Sequence, residues 1–376
     1  MRRITIIGSG FAALTALRTL RKKDPSSAIT IISPKAEFLY APSLIWVPTG
    51  LRTGEDLVIS LSSFFKRMNV THHMGAVTGI KNNGRTVVTD NGEVQNDALI
   101  IASGGRFLKK VEGIENVLTL CEGVKPAQDI KERLSKMEGG AIAFGFAGNP
   151  QEQQALRGGP MFELLFGIDT WLRKQGKRDN FTLKFFCPAP KPGIRLGERA
   201  FEGIMQEMAR RNIEVACLGA KIKKFEPAKI ITETTEISAD MILFMPGLTG
   251  PAWLEQTNLP LSAGGMIKAD KYTRVEGLQH VYVIGDSASY EAPDWAPKQA
   301  HMADLQAVAA AENALAELNG QQAYKTFRWE LICIIDTLDK GFLVFRNEKR
   351  KFVLSSRLFH WAKRFFEWNY VRQYAK

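Results

Sequence analysis

Long apolar runs are missing from this chain. No stretch of about 18 apolar residues occurs, so no segment is expected to cross a bilayer as a helix. Paired cysteines are missing too. Cys121, Cys187, Cys217 and Cys333 form no C-x-x-C pair, and their spacing suits neither a zinc site nor a disulfide framework, so no metal is expected. Met1-Arg2-Arg3 runs straight into an apolar segment, with no stretch that reads as a signal peptide. The expectation is a cytoplasmic chain whose thiols are reduced at rest. Acidic residues are in the minority: 50 Lys+Arg against 39 Asp+Glu give a formal net charge of +11, which favours an anionic partner. No nucleic-acid recognition module accompanies that charge, so a membrane surface is expected and nucleic acid is not. With 376 residues, 45% of them hydrophobic, the chain is long enough for two packed domains and a tail.

What is present begins at the first residues. Ile4-Thr5-Ile6-Ile7 reads as a buried strand, and Gly8-Ser9-Gly10-Phe11-Ala12-Ala13 follows at once into a helix. This is a G-x-G-x-x-G/A turn. Gly8 permits the tight bend, Gly10 lets backbone approach a pyrophosphate, and Ala13 lets helix pack on strand, with free N–H groups of the helix start facing phosphates. A second apolar strand, Val281-Tyr282-Val283-Ile284, ends in Gly285-Asp286, and a third, Asp97-Ala98-Leu99-Ile100-Ile101, ends in Ala102-Ser103-Gly104.

These three marks, in this order, resemble the flavoproteins with two dinucleotide-binding domains. The resemblance implies an α/β fold of two Rossmann-like domains of the glutathione-reductase type plus a C-terminal membrane-associating region. Residues 1–105 and 260–320 would form a discontinuous FAD-binding domain and 106–259 a second Rossmann-like domain. Residues 321–376 would form the C-terminal region with its basic, aromatic tail. FAD phosphates would lie on Gly8, Gly10, Phe11 and Ala12, and Asp286 beside Gly285 would hold the ribityl chain. Ser33-Pro34 stands where an acid usually meets the adenosine ribose. Val77 would meet the adenine, and Ala102, Ser103 and Gly104 would line the cofactor. Lys298 and Gln299, opening an alanine-rich helix, would face the pyrimidine edge of the flavin, where a helix N-terminus and a cation stabilise negative charge.

Phe38-Leu39-Tyr40-Ala41-Pro42-Ser43-Leu44-Ile45-Trp46 narrows the resemblance to sulfide:quinone oxidoreductases and flavocytochrome c sulfide dehydrogenases, in which this segment, with Pro42, passes the isoalloxazine ring. Cys333 and Cys121 match redox cysteines of that group. A further cysteine carried by sulfide-oxidising relatives is absent, and Leu156-Arg157 stands there. The C-x-x-x-x-C pair of glutathione-reductase-like enzymes is absent as well. Gly145-Phe146-Ala147-Gly148-Asn149-Pro150 closes the strand where an NADH-using relative carries its glycine loop. Pro150 spoils the close helix approach, so a degenerate NAD site is expected.

In the tail, Lys349-Arg350-Lys351 precedes Leu354, Leu358, Trp361, Phe365 and Trp368, spaced 4, 3, 4 and 3 apart and so on one helical face. That is the profile of a helix lying in a membrane interface, here at the cytoplasmic face. The alternative is packing on the protein's own core or on a twin subunit in a homo-oligomer. The resemblance implies electron transfer from sulfide or another reduced sulfur compound through FAD to a membrane quinone near Phe342 and Phe345. Two other readings stay open: a type II NADH:quinone reductase, and a membrane-surface flavoprotein with a sensing or assembly role.

Overall fold

The computed structural model describes residues 1–375. Two parallel sheets organise them. The first has five strands in the order Val281–Val283, Ala98–Ile101, Arg3–Ile7, Ala28–Ser33 and Val70–Met74, all parallel. The central strands read as unbroken Ile/Leu runs because both faces are covered. On one face lie the helices Phe11–Lys23 and Ala300–Leu318. Ala13, Leu17 and Leu20 of the first meet Ala307, Ala310 and Ala314 of the second over Ile4 and Ile6. Small side chains at this crossing let both helices sit close to the sheet. The other face, with Ile7, Leu99 and Val283, is closed by an antiparallel sheet of Val77–Lys81, Thr86–Thr89 and Gly92–Gln95.

The second parallel sheet repeats the plan with four strands, in the order Glu214–Leu218, Phe181–Cys187, Gly140–Phe146 and Met241–Met245. Helices Val124–Lys136, Gly159–Lys174 and Glu198–Arg210 bury Ile130, Leu165 and Met208 against Ile142, Phe144 and Leu183. The antiparallel strands Ile222–Glu226, Lys229–Thr232 and Glu236–Ser238 close the opposite face around Phe186, Phe225 and Phe244.

A third antiparallel sheet, Glu330–Asp336, Gly341–Asn347 and Lys351–Ser356, leads into a last helix, Leu358–Val371. Leu354 therefore does not open the tail helix. It belongs to the third strand, where alternation exposes Phe352 and Leu354 on one face. No helix is long and apolar enough to cross a membrane among the described residues.

One buried charge network ties the second sheet's helices to the C-terminal sheet. Arg211, almost wholly buried, reaches Asp169 at 2.8 Å, Glu207 at 2.5 Å and Asp339 at 3.2 Å, and Arg178 reaches Asp169 at 2.6 Å. Burial opposes the Asp169 and Glu207 charges, but the surrounding arginines hold both carboxyls low, Glu207 at about 2. Arg211→Ala leaves Asp169 buried with less compensation and should cost about 3–5 kcal/mol, read as a lower urea midpoint. Because both carboxyls titrate lower folded than unfolded, their stabilisation is complete above the ordinary carboxylate pKa. It is lost as pH falls through the folded values. Between about pH 5 and about pH 2 the wild-type midpoint should therefore fall more steeply than that of Arg211→Ala.

Candidate active site

The carboxyl ends of the first sheet's strands converge on one crevice. Gly8 has φ +113°, and a Cβ there would sit 2.3 Å from the Ala102 carbonyl oxygen, so no other residue fits between the glycine turn and the Ala102-Ser103-Gly104 strand end. Gly10 faces open space, with nothing within 4 Å of where its Cβ would be. The helix that follows has neither a side-chain cap nor an acid in its first turn, so its N-terminus, with Phe11 and Ala12, is left for an anion. Gly285 lies against Ala12, its Cβ position 3.4 Å from the alanine methyl, and its N–H donates to Gln306 Oε1 at 2.8 Å. Ser103 and Ser287 hydroxyls meet at 3.3 Å, and Asp286 stands beside Gly105. Buried Lys298 donates to the Ala288 carbonyl at 2.6 Å, and burial lowers its pKa. Gln299 caps nothing with its side chain, and its Oε1 is buried without a partner. A glycine cradle, two uncapped helix starts, a carboxylate and an orphaned amide oxygen fit FAD at this crevice. FAD, when bound, supplies two-electron chemistry, and the protein supplies placement and electrostatics.

Other expected contacts are arranged differently. Ser33 is buried, its hydroxyl donating to the Lys35 carbonyl at 2.8 Å and lying 3.0 Å from His72 Nε2. It is spent inside the protein and is not presented as a ribose partner, while Pro34 beside it is exposed. His72 and His73 lie on strand Val70–Met74, and His73 pairs with Thr89 at 2.9 Å. Val77 starts the covering sheet, half-buried against the core, and Pro42 is the second residue of the 3-10 turn Ala41–Trp46.

Cys333 lies at the junction of the second sheet's helix Gly159–Lys174 and the C-terminal sheet, and Cys121 lies in the 3-10 turn Leu120–Glu122. Cys333 Sγ is 3.7 Å from the Cβ position of Gly159, in the first turn of helix Gly159–Lys174. One turn on, buried Glu163 pairs with Lys363 of the last helix and accepts the Asp336 N–H at 2.9 Å. Lys363 also donates to the Ile334 carbonyl at 3.3 Å. Burial lifts the Glu163 carboxyl to about 7, although Lys363 holds it down, so it can exchange a proton near neutrality. Burial pushes the Cys121 thiol up to about 11 and that of Cys333 up to about 12. The same Glu163 and Lys363 act on both.

The last helix turns its polar side inward. His360 Nδ1 lies 2.9 Å from Asp336 Oδ1, while Trp46 Nε1 donates to Asp336 Oδ2 at 2.7 Å. Glu367 accepts from Arg52 at 2.8 Å and from the Ser43 hydroxyl. Tyr370 donates to Asp304 at 3.1 Å and packs 5.0 Å from the Phe11 ring. Glu163, Asp336, His360 and Glu367 are not marked by any motif in the sequence. The signal was the spacing 360, 363, 367, a polar face opposite the aromatic stripe. Phe342 and Phe345, expected to share a quinone, are separated by the sheet. Phe342 pairs with Ile335 on the inner face beside the main core, whereas Phe345 stacks on Phe352 at 5.1 Å on the outer face.

The pyridine nucleotide-disulphide oxidoreductase family model matches residues 2–307. The sulfide-quinone reductase of Aquifex aeolicus is 24% identical over 97% of this chain and 89% of its own. A type II NADH:quinone oxidoreductase of Staphylococcus aureus is also 24% identical, over 85% of this chain and 83% of its own. Among solved structures, the sulfide:quinone oxidoreductase of Aquifex aeolicus superposes with a TM-score of 0.91 at 21% identity, over 100% of this chain and 92% of that one. NDH2 from Plasmodium falciparum in complex with NADH gives 0.76 at 13% identity, over 100% and 95%. The crevice and the family match agree: this chain belongs to the pyridine nucleotide-disulphide oxidoreductase family and is an FAD-dependent oxidoreductase.

Proposed function

We propose that this protein passes electrons from sulfide or another reduced sulfur compound, through FAD, to a quinone in the membrane on which it docks. What carries the reading is the place of Cys333: a thiol packed against the first turn of helix Gly159–Lys174, with the Glu163–Lys363 pair one turn away. The thiol suits a sulfur donor, and Glu163, poised near neutrality, suits taking up the proton that such a donor releases. Cys121 is the second thiol under the same pair.

NADH as electron source is the rival reading, and the second sheet argues against it. Asn149 donates to the Leu248 and Gly264 carbonyls at 2.9 and 3.0 Å, Glu152 accepts from Ser262 at 2.6 Å, and Gln154 donates to the Tyr290 carbonyl at 2.7 Å. The loop after strand Gly140–Phe146 is thus stitched to neighbouring loops, and a pyrophosphate would have to break those bonds to reach the strand end.

The membrane assignment rests on the outer face of the last helix. Leu358, Trp361, Phe365, Phe366 and Trp368 are each more than half exposed, and Phe352 and Leu354 extend the patch onto the sheet. Arg364 lies 5.0 Å from the Trp361 ring and Arg372 4.4 Å from that of Trp368, so cations border the aromatic face. This suits a helix in the interfacial plane of an anionic, cytoplasmic leaflet. A quinone rising from that leaflet meets Phe345 and Phe352 first, with Phe342 behind the sheet.

Sulfide, added anaerobically to the holoprotein, should bleach the flavin, and NADH should not; bleaching by NADH would overturn the donor assignment. Cys333→Ser should slow bleaching by sulfide roughly 100-fold or more while leaving bound FAD unchanged. Trp361→Ser with Phe365→Ser should weaken partition onto anionic vesicles at least ~30-fold, measured by flotation, without altering the visible flavin spectrum.

A further inference from the structure

We propose that Arg157 recognises the sulfur donor as an anion. This rests on the sulfur-oxidising reading above and names what that site selects. Arg157 stands two residues ahead of Gly159, the residue beneath Cys333 Sγ. Its side chain is a quarter exposed and pairs with Asp286, which sits at the end of the first sheet. It also acts electrostatically on Cys121. One side chain is therefore tied to Asp286 at the flavin crevice and to Cys121, from a backbone position two residues before the glycine under Cys333. Its only hydrogen bond among the described residues runs from Nη2 to Asp286 Oδ2. Most of the guanidinium donors are left for a ligand, in a planar fork that suits small anions.

The charges around it favour an anion as well. Lys298 and Lys363 join Arg157, against Asp286 and Glu163, so three cations face two carboxylates. Glu163, lifted to about 7, is partly neutral near that pH. Glu152 and Arg195 also act on Lys298, with opposite signs, and add one charge of each kind to that count. Helix Gly159–Lys174 adds the positive end of its dipole, with no acid in its first turn and no side-chain cap. A hydrosulfide or a persulfide anion meets this field favourably, and an uncharged thiol gains nothing from it. Arg157 thus holds the donor by charge beside Cys333, a role in recognition with no bond made or broken at the arginine.

The holoprotein can be titrated with thiocyanate, an unreactive sulfur-bearing anion, and followed by flavin difference spectra. Thiocyanate should perturb the wild-type spectrum and compete with both sulfide and cysteine persulfide during anaerobic flavin reduction. Arg157→Gln should weaken thiocyanate binding and raise the donor concentration for half-maximal reduction by ~10- to 100-fold, with the limiting rate changed only a few-fold. Arg157→Lys, which keeps the charge but not the fork, should recover part of the loss. If Arg157→Gln loses FAD, wild-type competition and the lysine variant decide. An unperturbed wild-type spectrum, non-competitive inhibition, or a glutamine variant that binds thiocyanate as wild type does would overturn the proposal. Arginine-dependent thiocyanate binding in a protein that no sulfur donor reduces would overturn the donor reading while leaving the anion site standing.

Discussion

A lysine on a helix whose outer face is aromatic reaches inward to a glutamate in the protein's interior. The Lys363–Glu163 pair joins the last helix to the second sheet's helix beside Cys333. Buried pairs of this kind add little net stability, because desolvation offsets most of the attraction, but losing one partner is costly. Its consequence is positional. It fixes which face of the helix Leu358–Val371 looks outward. His360 on Asp336, Glu367 on Arg52 and Tyr370 on Asp304 keep the same orientation along the helix. With its polar side spent on the protein, the helix has only Leu358, Trp361, Phe365, Phe366 and Trp368 to show.

This inversion couples two regions that a simple amphipathic helix would leave independent. The residues that anchor the helix are also those that surround the thiols and the segment Ala41–Trp46. Asp336 illustrates the economy: its backbone N–H holds Glu163, while its carboxylate holds Trp46 and His360. Burial works against that carboxylate, yet His360, Lys363 and Trp46 together keep it charged below the ordinary range. A shift of the helix would disturb Glu163 and so the field on both cysteines.

Local chemistry made the fold legible from sequence. A glycine at φ +113° packed against a carbonyl, and apolar runs covered on both faces, leave traces in consecutive residues, which is why Gly8, Gly285 and the buried strands stand out. The site was less legible because its partners are far apart in the chain. Glu163 and Lys363 are 200 positions apart, and Arg157 and Asp286 are 129 apart. Ser33 shows the limit from the other side: a plausible hydroxyl at the right place, engaged by the Lys35 carbonyl and by His72 from a neighbouring strand. Leu354 misled through coincidence, since an exposed strand residue four positions before Leu358 imitates a helical step. Phe342 and Phe345 look adjacent in sequence, but a separation of three puts them on opposite faces of a strand.

In the function we propose, one chain draws electrons from sulfur at a flavin and releases them at a lipid surface. Its most direct test is quinone reduction by holoprotein mixed with anionic vesicles carrying a long-chain quinone. The account predicts turnover with sulfide as donor, none with NADH, and much slower turnover when neutral vesicles carrying the same quinone replace the anionic ones. Sustained turnover with NADH, or none with sulfide on vesicles, would contradict it.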